Sequence, residues 1–203
     1  MKNFKYLFIF LLIFTSCSDE EEILPSVSSK YSNLHAPQSG GMGQPITGDY
    51  TKFNFSTGMV TTDSNEWDIA FRGTTIIING GSSTGTNDEP SRSGLGAAGF
   101  ASGTFSSVIS ADIPLSQDSP SGPAIQTGSG NGWYNYSGPP TFLITPIPGK
   151  ILIIKTRDER YAKVEILSYY KDAPSNPNAM TNESRYYTFN YLYNPNKGST
   201  DLQ

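Results

Sequence analysis

Two segments near the carboxyl terminus alternate apolar and polar side chains with a period of two. In residues 161–170, Ala, Val and Ile fall on one face, and Lys163 and Glu165 fall on the other. Residues 187–193 carry an aromatic side chain at every second position: Tyr187, Phe189, Tyr191 and Tyr193. This period is that of a half-buried β-strand, and a continuous apolar run at 151–156 comes just before them. The three segments predict consecutive antiparallel strands joined by short loops.

The composition favours strands and turns over helices. The chain has 203 residues with 20 Gly, 14 Pro, 12 Tyr and 11 Phe, and only 16% are charged. Gly and Pro mark turns, aromatic residues are typical of strands, and the residues that long helices need are scarce. Further strand patterns lie at 49–60, with a turn at Thr57-Gly58, and at 74–79. The sequence therefore predicts an all-β fold of mostly antiparallel strands in a single domain with long Gly/Ser/Pro-rich loops.

The segment 66–72 also alternates. Its pattern places three apolar side chains on one face: Trp67, Ile69 and Phe71. Asp68 and Arg72 fall on the opposite face, where we expect them to pair.

Residues 80–104 hold seven glycines among Ser, Thr and Asn, and they predict one long loop. Two interpretations remain open for it, a functional lid or binding loop and a mobile insertion without a role. The residues that follow, 105–113, predict a short strand.

The amino terminus has the pattern of an export signal. Lys2 and Lys5 precede an apolar stretch of nine residues at 6–14, which is far shorter than the ~20 residues of a spanning helix. Phe14-Thr15-Ser16-Cys17 resembles a bacterial lipobox. Residues 1–16 are therefore predicted to be a lipoprotein signal peptide, with Cys17 as the lipidated residue. Two or three acyl chains anchor a protein stably.

An acidic run, Ser18-Asp19-Glu20-Glu21-Glu22, follows the predicted lipid site. It resembles the surface-export signal of certain Gram-negative lipoproteins, which implies an outer-membrane lipoprotein exposed at the cell surface. The alternative is a solvated tether. Residues 18 to about 45 are predicted to be a flexible leader, so that 17–47 form the lipidated Cys and tether and 48–203 form the domain.

Charge argues against nucleic acid as a partner. Removal of residues 1–16 leaves 12 basic and 18 acidic side chains, a net charge of −6, and no basic stripe is present. Binding to nucleic acid depends on phosphate neutralisation by basic side chains. We therefore expect no nucleic-acid partner.

The counts of His and Cys exclude several kinds of catalytic site. With His35 and Cys17 as the single residues of their types, the chain cannot form an intrachain disulfide or a zinc site of His and Cys ligands. A Ser-His-Asp triad would have to use His35, which lies in a Ser/Pro/Gly-rich segment away from any nucleophile motif. The acidic residues lie in predicted turns, without the spacing of a glycosidase pair. The sequence predicts a protein that is not an enzyme.

Several motifs together resemble one family. They are Trp67-Asp68-Ile69-Ala70-Phe71-Arg72, Asn79-Gly80-Gly81, Gly132-Trp133-Tyr134, and a closing block of Ile147–Ile151, Tyr161–Tyr170 and Arg185–Tyr191. Across residues 48–194 the chain resembles the HmuY family of haem-binding surface lipoproteins. The resemblance implies an antiparallel β fold that holds haem between loops at one end. It also implies uptake of haem, free or from host proteins, and its transfer to a TonB-dependent outer-membrane receptor.

The chain departs from the family pattern at the haem ligands. Founding members hold the iron with two histidines, and some relatives use methionines instead. Here the lone His35 precedes the predicted domain, and neither expected ligand region, 100–112 or 137–142, contains His or Met. Haem ligation by two histidines is therefore excluded.

Five residues remain as candidates for binding a cofactor. Met180, in the loop 172–184, offers a thioether, which prefers ferrous iron; Met59 lies in a strand pattern and is assigned to packing. Tyr134 and Tyr136 offer phenolates for ferric iron or, alternatively, aromatic packing in the core. Trp133 and Phe142 would stack on a flat ligand or pack in the core.

Two functions stay open. The first is a surface lipoprotein that binds haem or a related tetrapyrrole for uptake, without ligation by two histidines. The second is a divergent HmuY-like scaffold that binds a different small ligand or a partner protein at the cell surface.

Overall fold

A computed structural model describes residues 22–41 and 43–203, and within them the chain forms thirteen strands and no helix. The strands are β1 (Val27–His35), β2 (Ser39–Gly41), β3 (Gln44–Thr47), β4 (Thr51–Asn54), β5 (Met59–Thr61), β6 (Ile69–Arg72), β7 (Thr75–Ile78), β8 (Ala97–Ser102), β9 (Tyr134–Tyr136), β10 (Ile144–Pro146), β11 (Lys150–Lys155), β12 (Tyr161–Tyr170) and β13 (Ser184–Asn194). In the described part of the chain, no helix is long and apolar enough to cross a membrane. The predicted signal peptide and Cys17 lie outside the described residues, as does Met42.

The largest sheet has five strands in the order β1-β13-β12-β11-β8, and every neighbouring pair is antiparallel. The three strands predicted from the carboxyl-terminal pattern are its centre. A four-stranded antiparallel sheet, β5-β4-β6-β7, faces it. Side chains of both sheets fill one core, in which the Phe53 ring lies 5.4 Å from Phe189 and 5.7 Å from Tyr191. The prediction of an all-β, mostly antiparallel fold is confirmed.

The leader predicted for residues 18–45 contains a strand of the large sheet. β1 pairs with β13 from Val27 opposite Tyr193 to His35 opposite Tyr186. Tyr31 stacks on Phe189, with ring centres 5.8 Å apart. Because β1 is held by backbone pairing and core contacts, these residues belong to the domain and do not form a flexible tether.

The outer face of the large sheet is covered. Lys163, expected on a polar face, is 3% exposed, because residues 103–113 pack over it. Its ammonium donates to the Val108 carbonyl at 2.7 Å. The strand predicted at 105–113 does not form; Val108 and Ala111 pack instead against Ile153 and Leu192.

The segment 66–72 differs from its prediction in two respects. The strand begins only at Ile69, and Trp67 packs on the other side of the sheet with Tyr50, Ala70 and Ile77. Asp68 pairs with Arg157, in the turn after β11. Arg72 instead stacks on the Tyr50 ring at 4.2 Å and donates to backbone carbonyls.

The long loop predicted at 80–104 is shorter, because residues 97–102 form β8 and pair with β11. The remainder is held by side chains. Arg92 joins Glu89 at 2.7 Å and Asp118 at 2.9 Å, and all three side chains are nearly fully buried. The interpretation as a mobile insertion is therefore wrong for β8, and the rest of the segment is fixed to the sheets.

Candidate ligand-binding groove

Two connections meet at one end of the large sheet and enclose a groove of about 270 Å³. One is the loop 137–143 of the β9–β10 hairpin, and the other is the loop 171–183 between β12 and β13. The backbone N–H of Ile144 donates to the Tyr170 hydroxyl at 3.0 Å, which fixes the hairpin against β12. The groove is lined by Pro140, Thr141, Leu143, Pro177, Asn178 and Met180.

The hairpin loop is held by a network of its own hydrogen bonds. The hydroxyls of Ser137 and Thr141 lie 2.6 Å apart, and the Leu143 N–H donates to the Ser137 hydroxyl at 2.9 Å. The Phe142 N–H donates to the Gly138 carbonyl at 2.8 Å. Phe142 has a φ of 51°, a left-handed conformation that costs a non-glycine residue about 1 kcal/mol, and it is 41% exposed. The network holds an exposed aromatic side chain next to the groove.

Met180 lies on an ordered turn. Asn178 accepts from the Met180 N–H through its side chain at 2.9 Å and from the Asn182 N–H through its carbonyl at 2.8 Å. Ala179 packs against the main core, whereas Met180 is 73% exposed and lines the groove. The thioether predicted as a candidate ligand is therefore available to a molecule in the groove.

The loop 171–183 is closed at its base by an ion pair between Lys171 and Glu183 at 2.8 Å. The hydrogen bond and the charge of Glu183 raise the pKa of Lys171. The reciprocal hydrogen bond lowers the pKa of Glu183.

The other sequence candidates lie in two environments. Trp133 is 2% exposed, with its indole N–H donating to the Thr74 carbonyl at 2.9 Å, and Tyr134 is 9% exposed in the same core. Trp133 and Tyr134 therefore pack in the core, which is one of the two alternatives that the sequence left open for them. Tyr136 is 46% exposed and pairs with Ile144 in the hairpin. Met180 lines the groove, and Tyr136 and Phe142 belong to the hairpin that forms it.

Sequence reasoning missed the proline-rich walls of the site. Pro140 and Pro177 face each other across the groove, and a second groove of about 360 Å³ begins at Pro177. Lys30 of β1 lines this second groove, although its segment was assigned to the leader. The concentration of Pro in 139–148 and 174–177 is the signal that could have indicated these walls.

The donors near the groove limit how a metal could be bound. Across residues 22–41 and 43–203, no group of three or more His, Cys, Asp or Glu side chains is arranged to hold a metal ion. Burial raises the pKa of Tyr169 well above its ordinary value, so its phenolate is disfavoured. His35 lies within the fold, contrary to expectation, and stacks on Tyr186 with ring centres 4.5 Å apart. The groove thus offers one soft donor, the Met180 sulfur.

A larger cavity of about 800 Å³ lies elsewhere, between the edge of the four-stranded sheet and residues 88–90. Met59 of the edge strand β5 is 60% exposed near it, so its assignment to packing is wrong. Glu89 lines this cavity. Burial opposes ionisation, but hydrogen bonds from Thr84 and Thr86 outweigh it and lower the pKa of Glu89 to about 2. The carboxylate is thus already satisfied by its own loop.

The sequence model of the HmuY protein family matches residues 47–191, which is most of the chain. The chain belongs to the HmuY family. β1 and the carboxyl-terminal residues lie outside the matched range, so this HmuY-family chain completes its large sheet with a strand that precedes the match. No curated protein matches its sequence.

Three solved structures are similar to this HmuY-family chain, and the first of them shares its fold. The apo form of a HmuY analogue from Tannerella forsythia superposes with a TM-score of 0.54 and 13% identity, covering 87% of this chain and 100% of that chain. A Bacteroides vulgatus protein described as HmuY-like and heme-binding gives 0.47 and 17%, covering 84% and 93%. A Bacteroides fragilis protein described as a lipoprotein gives 0.46 and 12%, covering 84% and 92%.

Proposed function

We propose that this HmuY-family protein binds haem, or a related tetrapyrrole, in the groove between residues 137–143 and 171–183, without catalysing a reaction. The observation that carries the proposal is the position of Met180. A soft iron donor lies opposite the hairpin loop, at the end of the large sheet, in a member of this family. In this proposal, haem is the ligand that the protein binds and passes on.

The groove suits a flat apolar molecule in part. Pro140, Leu143 and Pro177 offer apolar walls, and Phe142 offers an aromatic face beside them. At about 270 Å³ the groove is slightly smaller than typical small-molecule pockets. A tetrapyrrole held here keeps much of its surface in solvent, which favours moderate affinity and easy release.

The ligand chemistry favours reduced iron. A thioether is soft and neutral, so it binds ferrous iron better than ferric iron. With Met180 as the donor, affinity for haem should rise on reduction. This distinguishes the chain from proteins that hold both iron states with two histidines.

The proposal also covers the cellular location of the protein and its partners. A lipid on Cys17 would hold the protein at the outer membrane, facing the outside of the cell. There it would accept haem, free or from host proteins, and pass it to a TonB-dependent receptor. The lipobox-like sequence, the acidic run after it and the family membership support this part of the proposal.

A haemin titration tests the proposed cargo. The chain from residue 17 onward, carrying Cys17→Ser so that it stays unlipidated, is titrated with haemin while the Soret band is followed. The titration is then repeated under dithionite. We expect a saturable shifted band that sharpens on reduction. A ferric band with charge-transfer features would instead favour a phenolate, with Tyr136 as the exposed candidate.

A spectrum identical to that of free haemin in both iron states would contradict the proposal. The protein would then be a HmuY-family scaffold for another small ligand or for a partner protein.

A further inference from the structure

The second groove, of about 360 Å³, shares one lining residue with the first, Pro177. Its walls come from β10, from the end of β12 and from residues 173–177. Half of its twelve lining residues are aliphatic or proline: Ile144, Pro146, Leu167, Ala173, Pro174 and Pro177. Lys30 is the one charged side chain among its lining residues. The two grooves thus combine an apolar surface with a single ammonium group.

Lys30 differs from every other lysine that the structure describes. The other six each have a partner: Lys155, Lys171 and Lys197 pair with carboxylates, and Lys52, Lys150 and Lys163 donate to backbone carbonyls. The ammonium of Lys30 makes no ion pair or hydrogen bond within residues 22–41 and 43–203, and its side chain is exposed.

The nearest acidic residue on the same sheet does not neutralise Lys30. Glu165 lies two strands away, since Lys30 is opposite Asn190 and Asn190 is opposite Glu165. Two strand spacings are about 9.6 Å. Asn190, on the strand between them, donates through its amide to the Glu165 carboxylate at 3.3 Å, and among the described residues no ion pair joins Glu165 to Lys30. The charge of Lys30 remains available to a molecule in the groove.

We propose that Lys30 binds a carboxylate of the ligand, and that the paired grooves select amphiphiles carrying a free carboxylate beside an apolar body. This inference rests on the proposed function, in which the carboxylates are the propionates of the tetrapyrrole. Met180 then contacts the apolar, metal-bearing part, and Lys30 contacts the acidic edge. An exposed ion pair contributes about two- to fivefold to affinity.

Metal-free protoporphyrin and its dimethyl ester test the inference, because neither has iron for Met180 to bind. Both probes are titrated by fluorescence, in the same low concentration of non-ionic detergent. The proteins are the wild-type chain, Lys30→Gln, Lys30→Arg and Lys197→Gln. Lys197 is the matched control, since it is exposed and pairs with Glu159 in the turn between β11 and β12.

We expect Lys30→Gln to bind protoporphyrin about two- to fivefold more weakly than wild type, with Lys30→Arg and Lys197→Gln unchanged. The dimethyl ester should bind wild type and Lys30→Gln equally. Salt should weaken protoporphyrin binding to wild type more than binding to Lys30→Gln, because salt screens exposed charges.

Two results would overturn the inference in distinguishable ways. If protoporphyrin binds but Lys30→Gln matches wild type, the assignment of Lys30 is wrong and the proposed function stands. If neither protoporphyrin nor haemin binds any variant, the proposed function fails, and the inference fails with it.

Discussion

Asp68 and Arg157, 89 residues apart in the chain, form a buried ion pair in which Nη1 of Arg157 lies 2.9 Å from Oδ1 of Asp68. The other carboxylate oxygen accepts from the Phe55 N–H at 2.8 Å. The pair connects the four-stranded sheet to the turn between β11 and β12. It therefore fastens the two sheets together at the end opposite the groove.

Removal of the Asp68 carboxylate should destabilise the fold strongly. Asp68→Ala leaves the largely buried Arg157 guanidinium with only the exposed Glu66, and such losses cost about 3 kcal/mol. Urea denaturation measures the free energy of unfolding. Glu183→Ala, which removes an exposed ion pair, is the control and should change it by less than about 0.5 kcal/mol. Equal effects of the two variants would contradict the prediction.

Acid should weaken the hydrogen bonds and the ion pair through which Glu89 holds residues 84–92 in place. The folded state lowers the pKa of Glu89 from its ordinary value of 4.5 to about 2. The ionised Glu89 carboxylate therefore contributes its full share to the free energy of unfolding above pH 4.5, and this contribution is lost as the pH falls towards 2. In thermal melts, the stability difference between wild type and Glu89→Gln should shrink over that range. A difference that stays constant from pH 6 to pH 2.5 would show that Glu89 does not titrate as expected.

Met180 should matter for reduced haem more than for oxidised haem. Met180→Leu keeps a similar apolar volume but removes the sulfur, so the affinity gained on reduction should disappear. Met59→Leu is the matched control, because Met59 is also exposed but lies on β5, near the other cavity. Soret titrations in both iron states measure the effect. If Met59→Leu has the same effect as Met180→Leu, the assignment of the thioether is wrong.

Phe142 should contribute to binding rather than to stability. Asn adopts the left-handed conformation more readily than Phe does, so Phe142→Asn should leave the free energy of unfolding within about 0.5 kcal/mol of wild type. Loss of the aromatic face should weaken porphyrin binding several-fold, as expected for about 0.5–1.5 kcal/mol of stacking. Chemical denaturation and fluorescence titration of the same variant check both parts. A large loss of stability with unchanged binding would reverse the assignment.

The strand β1 should be part of the cooperative fold. Leu34 is 1% exposed in the core, so Leu34→Ala should cost about 3 kcal/mol. Val27→Ala, at the exposed start of the same strand, should cost less than about 0.5 kcal/mol. Equal, small effects would mean that residues 27–35 act as a tether, as the composition first indicated.

The period of two located β12 and β13, and the continuous apolar run located β11, because side chains of these strands are buried in the core. The same pattern could not show that Lys163 is covered, because its covering segment, 103–113, is distant in sequence and packs only in the folded chain. The strand β1, within the predicted leader, was not predicted for a related reason. β1 is an edge strand with three Ser among its nine residues, and it is held in place by pairing with β13.

The sequence predicted the candidate iron donor of the groove but not the groove's position or shape. Counting donors singled out Met180, because few side chains in this sequence can bind iron. The groove itself depends on the loops 137–143 and 171–183 lying side by side in the folded chain, and local sequence patterns do not encode that arrangement. Trp133 and Tyr134 have the same residue types as binding aromatics, and only their burial distinguishes them.

The direction of β1 determines which end of the domain would carry the predicted lipid anchor. The chain enters the large sheet at Val27, beside Tyr193, and β1 runs about 30 Å to His35, at the end where the groove opens. With the predicted lipid on Cys17, at most about 35 Å of extended chain separates the bilayer from Val27. A lipid on Cys17 would therefore attach to the domain at the end of the large sheet opposite the groove.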